Sequence, residues 1–205
     1  MGKCVFLIGL FASILSKGQS VLPNDSIQVK VEYSINYEKL PFKMKLMKKL
    51  LPNTSISYYS HIGNRTELNI NGNLMGKEII SSTVIIQNYL NATMSINVSA
   101  VINDSIIDNI FKNEPIPQKP ISNISFYETK KDIQGYECRY FISENDSTKT
   151  EGFFTDLLSG VGEFENIGLP LDYKTIHKKE KYTTITKAQK IIIEPFNENE
   201  FIISD

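Results

Sequence analysis

The sequence predicts a mainly β domain of α+β type: a single curved antiparallel sheet with two helices packed on one face. Three observations predict it. Apolar residues alternate with polar ones over several runs, turn signals separate those runs at hairpin distances, and only two stretches change to a helical period. With 205 residues, 41% hydrophobic and 22% charged, the chain has enough apolar material for one domain with one core and is too apolar for global disorder.

The alternation is plainest in three places. Val29, Val31, Tyr33, Ile35 and Tyr37 occupy every second position, with Lys30, Glu32, Ser34 and Asn36 between them. Met94, Ile96, Val98, Ala100 and Ile102 repeat the pattern, as do Tyr136, Cys138, Tyr140 and Ile142. Such alternation marks a strand with one face buried, and branched and aromatic side chains suit the pleated surface. Further strands are expected over Thr54–Ile62, Thr66–Ile70, Ser82–Asn88, Ser122–Thr129, Thr150–Asp156, Leu171–His177, Tyr182–Ile193 and Glu200–Ile203. Asn71-Gly72 is a dipeptide that tolerates positive φ at both central positions of a hairpin. Gly135, Gly152, Gly160, Gly162 and Gly168 mark other bends.

The first helical stretch is Leu40–Leu51, where Phe42, Leu46, Met47, Leu50 and Leu51 form one apolar face. The second is Asp104–Lys112, with Ile106, Ile107, Ile110 and Phe111 at helical spacing, Asn103 or Asp104 as its cap, and Pro115, Pro117 and Pro120 beyond it. Helices do not alternate regularly with strands, which argues against a doubly wound fold.

Residues 1–18 read as a secretory signal peptide. Lys3 supplies a positive start, Cys4 to Leu15 an apolar run, and Ser16 and Gly18 small residues for cleavage near Gly18–Gln19. The run is too short to span a bilayer. Cys4 stands at its start, not after it, where a lipid-bearing cysteine would stand. Residues 19–205 are then a single domain with net charge −3 and one cysteine, Cys138. That leaves no intramolecular disulfide.

The chemistry-bearing inventory is thin. The whole chain has a formal charge of −1, without the basic surplus of a nucleic-acid-binding protein. It holds no P-loop, no G-x-S-x-G elbow and no dinucleotide glycine fingerprint. Its two histidines, His61 and His177, lie far apart with no cysteine or histidine cluster near either. No catalytic residue, metal site or cofactor is expected, and the protein reads as non-enzymatic. Cys138, between Tyr136 and Tyr140 on an apolar strand face, is expected to be a buried, unreactive thiol. Lys39, Lys43, Lys45, Lys48 and Lys49 cluster on the first helical stretch. They are either the solvated side of a helix laid on the sheet or a contact with an anionic membrane surface or a partner.

Eight N-x-S/T sequons occur, and three of them read Asn-Asp-Ser. They place Ser26, Ser105 and Ser147 after an aspartate and before Ile27, Ile106 and Thr148. These triplets resemble the O-glycosylation signal of exported proteins in the Bacteroidetes, which makes the three serines candidate glycosylation sites.

The C-terminal half carries a family likeness. Its pieces, in order, are Glu128-Thr129-Lys130-Lys131, Gly135-Tyr136-Glu137-Cys138-Arg139-Tyr140, Gly152-Phe153-Phe154-Thr155-Asp156, Gly168-Leu169-Pro170-Leu171-Asp172-Tyr173, Tyr182-Thr183-Thr184-Ile185-Thr186-Lys187-Ala188 and Asn199-Glu200-Phe201-Ile202-Ile203. The order resembles small exported Bacteroidetes proteins related to the GLPGLI group, with Gly168-Leu169-Pro170 supplying the first half of that string. The resemblance implies the half-barrel of the lipoprotein carriers LolA and LolB: an incomplete barrel with its helices on the concave face and an apolar concavity. It further implies the periplasm or cell surface of a Gram-negative bacterium, and a lipid or other apolar group as ligand. The alternative expectation is an envelope or cell-surface interaction module whose helices fill the interior and leave no pocket.

Overall fold

A computed structural model describes residues 26–74, 76–102, 105–117, 122–157 and 167–202. The signal peptide and its cleavage position lie outside the described residues.

One sheet carries eleven strands, all antiparallel to their neighbours. They are β1 (Ile27–Glu38), β2 (Thr54–Tyr59), β3 (Gly63–Leu74), β4 (Lys77–Asn88), β5 (Thr93–Ile102) and β6 (Ser105–Pro115), followed by β7 (Asn123–Ile133), β8 (Tyr136–Glu144), β9 (Thr148–Thr155), β10 (Leu169–His177) and β11 (Tyr182–Pro195). Their order across the sheet is β6-β5-β4-β3-β2-β1-β11-β10-β9-β8-β7. This is a meander in which each strand pairs with the next and the last returns to the first. It would be a closed ring but for the missing pairing between β6 and β7, which are the two free edges.

The core sits where β11 meets β1. Register sets Val29, Val31 and Tyr33 opposite Ile193, Ile191 and Ala188 on one side, and opposite Tyr59, Ser57 and Ser55 on the other. Val29, Val31, Leu169, Leu171 and Cys138 are fully buried in one cluster with Tyr33, Tyr59, Leu157 and Ala188. A bulge between Glu32 and Tyr33 leaves Gln189 unpaired in the ladder, and its side-chain amide donates to Ser34 Oγ at 2.9 Å. Phe141 and Phe154 are buried edge to face at 5.7 Å between ring centres.

Several expectations are corrected. Over Leu40–Leu51 there is only the short helix α1 (Phe42–Leu46) and a 3-10 turn, Lys48–Leu50. Phe42 is 75% exposed, Leu46 64% and Met47 45%; of the predicted apolar face only Leu50 and Leu51 turn toward the sheet, half-buried, with Leu50 beside Gly72. Pro41 and Pro52 bound a segment too short for a stable face, and the anchor is Leu40, which is buried just ahead of the helix. Asp104–Lys112 is not a helix: from Ser105 onward it is strand β6. The reason is arithmetic. Pairs four apart, Ile106 with Ile110 and Ile107 with Phe111, share a face of a strand as readily as of a helix. Three branched isoleucines and an open ladder on β5 decide for the strand. With no two packed helices, the helix-filled interior of the alternative expectation also falls.

Asn71-Gly72 is not a hairpin turn but lies within β3, paired with Ile80 and Ile79. The chain reverses at Gly76, at φ +80, whose N–H donates to Asn73 Oδ1 at 3.0 Å. Strand β8 is buried from both sides: Cys138 has no exposure, and Phe141, on the opposite face, is buried too. The closing strand expected over Glu200–Ile203 is not found at Glu200 and Phe201, which belong to a 3-10 turn, Glu198–Phe201, initiated by Asn197 accepting from the Asn199 N–H; Ile203 lies outside the described residues.

Candidate functional site

Among the described residues, a groove of about 720 Å³ opens at one end of β1 and β3. It is built from the backbone up. Lys39, in the left-handed region at φ +53, turns the chain out of β1. Then α1 and the 3-10 turn carry it back across the sheet. Gly72 allows the crossing: a Cβ there would stand 2.4 Å from the Lys49 carbonyl oxygen and 3.2 Å from Leu50 Cδ2. The return is fastened by the Tyr37 hydroxyl donating to the Pro52 carbonyl at 2.9 Å and by the Ile35 N–H donating to the Asn53 carbonyl at 2.8 Å.

The groove is lined by Ile35, Tyr37, Ile70 and Gly72 from the strands, and by Leu46 and Leu51 from the crossing segment. Lys45, Lys48 and Lys49 supply cationic lining, and Asn36, Asn53, Asn69 and Asn71 supply amides. No carboxylate lines it. Burial pushes the Tyr37 phenol above its ordinary value, with the neighbouring Tyr182 adding to the effect. It stays a neutral donor at physiological pH. An apolar lining with cationic groups and neutral donors suits a chain-like apolar group that ends in an acid. A smaller recess of about 240 Å³ lies nearer the core, between Tyr33, Tyr59, Phe141, Pro170 and Tyr173. Its rings are fixed: the Tyr33 hydroxyl donates to the Pro170 carbonyl at 3.2 Å, and Tyr33 meets Tyr173 edge to face at 6.5 Å.

The lysine cluster is thus split. Lys45, Lys48 and Lys49 line the groove, whereas Lys39 and Lys43 stand outside it, exposed. The candidate glycosylation serines are dispersed. Ser26 is exposed in the turn before β1, and its carbonyl accepts from the Phe196 N–H. Ser105 is exposed at the start of β6. Ser147 is half-buried in the turn before β9, its N–H donating to Asn145 Oδ1 at 2.8 Å. Cys138 is buried as expected; burial first, then the charge of Asp132, pushes its thiol up to about 11. His177 lies stacked on Tyr182 at 4.1 Å between ring centres, and burial lowers its pKa. His61 lies against Phe196 at 5.0 Å.

Of the groove's strand residues, Ile35, Tyr37 and Ile70 are expected on strands by the sequence, but Gly72 is not, because Asn71-Gly72 carries a hairpin signal. The hint available was the alternation Leu68, Ile70, Gly72, which continues a strand through that dipeptide.

No known family profile matches the chain, and no curated protein matches it. Solved structures that resemble it distantly include a beta-barrel-like protein of a domain of unknown function from Brucella abortus, at a TM-score of 0.42 and 6% identity over 82% of this chain and 98% of that one. PNGF-II matches at a TM-score of 0.36 and 14% identity over 85% of this chain. The chain spans 29% of PNGF-II. A Vibrio parahaemolyticus domain assigned provisionally to outer membrane lipoprotein sorting matches at a TM-score of 0.25 and 7% identity, over 93% of this chain and 94% of that domain.

Proposed function

We propose that the protein is an exported, non-enzymatic envelope protein that holds a lipid acyl chain or a similar apolar group in the groove between α1 and the sheet. The observation that carries this reading is the groove itself: about 720 Å³, within the range of small-molecule sites, and lined by Ile35, Ile70, Leu46 and Leu51. Covering apolar surface is worth about 25 cal/mol per Å², and an acyl chain does the covering that a longer helix would have done. Lys45, Lys48 and Lys49 favour a ligand whose head is anionic. Export rests on the N-terminal run of residues 1–18, and the N-terminus of the mature protein tests it. A retained Met1, or a lipid on Cys4, would contradict export.

The direct experiment is titration with a fluorescent fatty acid. Saturable binding is expected, lost at least tenfold (~1.4 kcal/mol) in Ile70→Glu, which sets a carboxylate in the apolar lining. Absent or non-saturable binding in the wild type would sink the ligand reading. A second reading, a docking module, draws support from β6, whose Ile106, Ile107, Ile110 and Phe111 are all exposed on a free edge. Such an edge accepts a partner's strand.

A further inference from the structure

We infer that the outward surface of the α1 segment docks the protein onto an anionic lipid bilayer. Residues 39–52 contain five lysines and no acid. Had the segment been an ordinary helix laid on the sheet, its apolar side chains would be inside and only its lysines outside. Here Leu40, Leu50 and Leu51 turn inward, but Phe42 and Met47 are displayed at 75% and 45% exposure, with Leu46, which also lines the groove, at 64%, among exposed Lys39, Lys43, Lys45, Lys48 and Lys49. Among the described residues none of these lysines is ion-paired; the ion pairs engage Arg65, Lys130, Lys131, Arg139, Lys149, Lys178 and Lys187 instead. Phe42 to Met47 spans about 7.5 Å along a helix axis, so rings, thioether and ammonium groups form one small patch. The patch is also held: Leu40 is buried behind it, and the turn that follows it is seated on Gly72.

Apolar side chains that enter the headgroup layer, surrounded by lysines that stay among the lipid phosphates, describe an interfacial anchor. Each lysine near an anionic surface strengthens binding about fivefold. An acidic protein would satisfy the lysines but leave Phe42 and Met47 without an apolar medium, so the bilayer is the occupant that uses both.

Co-sedimentation tests this with vesicles of phosphatidylglycerol mixed with phosphatidylcholine, and with phosphatidylcholine alone. Binding to the mixed vesicles only is expected, weakening as salt rises. Two variants avoid every groove-lining residue. Lys39→Gln/Lys43→Gln is expected to weaken binding about fivefold per lysine and to flatten the salt dependence. Phe42→Ser/Met47→Ser is expected to weaken it several-fold with the salt dependence kept. Circular dichroism checks that both are folded, and fatty-acid titration, unchanged in both, separates the patch from the groove. Equal binding to neutral and anionic vesicles, no binding to either, full displacement by soluble polyglutamate, or indifference to both variants would overturn the inference.

Discussion

Cys138 shows how one atom's surroundings set its chemistry. Its Sγ is fully buried and donates to the Tyr136 carbonyl at 3.3 Å. The thiolate is disfavoured there, so the group is a small apolar filler and not a nucleophile. A thiol reagent should label it only in denaturant, and Cys138→Ser should destabilise the fold by roughly 1–3 kcal/mol. The pH dependence has a definite sign. With the folded thiol raised from 9.0 to about 11, the native state keeps a proton that the unfolded state releases between those values. Stability is therefore intact below pH 9 and falls as pH rises toward 11, with about 2 kcal/mol attached to this group. Denaturant melts at neutral and at alkaline pH should show a smaller alkaline loss in Cys138→Ala than in the wild type; equal losses would refute the assignment. Among the candidate glycosylation serines, Ser26 and Ser105 are open to a glycosyltransferase in the folded state. At Ser147 the backbone is held by the Asn145 side chain, which also accepts from the Thr148 N–H at 2.8 Å. Peptide mapping from the native host is expected to find glycan on the first two, and their complete absence would dismiss the motif reading.

At the scale of elements, Gly72 and α1 form one device. Gly72→Ala must push the Lys49 carbonyl away, since a 2.4 Å contact is impossible. It should cost roughly 1–3 kcal/mol and weaken fatty-acid binding, whereas alanine at the open turn residue Gly76, where nothing lies within 4 Å, should cost only the strain of its positive φ and leave binding intact. The two edge strands differ in how they meet solvent. Strand β7 carries Lys130 and Lys131, tied to Glu137 and Asp172, and a bulge after Tyr127; both features discourage edge pairing. Strand β6 from Ser105 to Phe111 has one charge, Asp108, among four exposed apolar side chains. Ile107→Lys should reduce self-association in light scattering while the melting midpoint moves little, since the site is exposed. The same strand marks where sequence reading failed. The strands with strict alternation, β1, β5 and β8, are legible because apolar residues at every second position mark a strand directly. Ile106 to Phe111 are spaced by one and four, which both periods permit, and only pairing with β5 resolves it. Leu40–Leu51 differs: its face is apolar at helical spacing, but the helix stops at Leu46, so Phe42, Leu46 and Met47 are displayed outward while Leu50 and Leu51 turn toward the sheet.

Across the whole molecule, the antiparallel pairing of the sheet follows from strands set at hairpin distances, and the buried face of β1 from an alternation visible in the chain. The groove does not, because it depends on a crossing segment meeting β3 at Gly72, a contact between positions more than twenty residues apart that no local pattern records. The pairing of β1 with β11 has a kinetic consequence. Every other ladder joins strands adjacent in the chain, and these can zip as local hairpins. The ladder at the core joins Val29 to Ile193 and Tyr33 to Ala188, so its loop comprises nearly the whole chain. Hairpins of the two halves can form early, but Val29 and Val31 stay wet until the last strand arrives. Such high contact order makes that docking the slow step, during which apolar strands stand unpaired and vulnerable to aggregation. Substitutions that destabilise the β3–β4 hairpin, which is formed before that step, should then act mainly on the refolding rate, while Val31→Ala and Ala188→Gly, whose contacts are completed only as the last strand docks, should also speed unfolding, a contrast that stopped-flow measurements on the two sets would reveal.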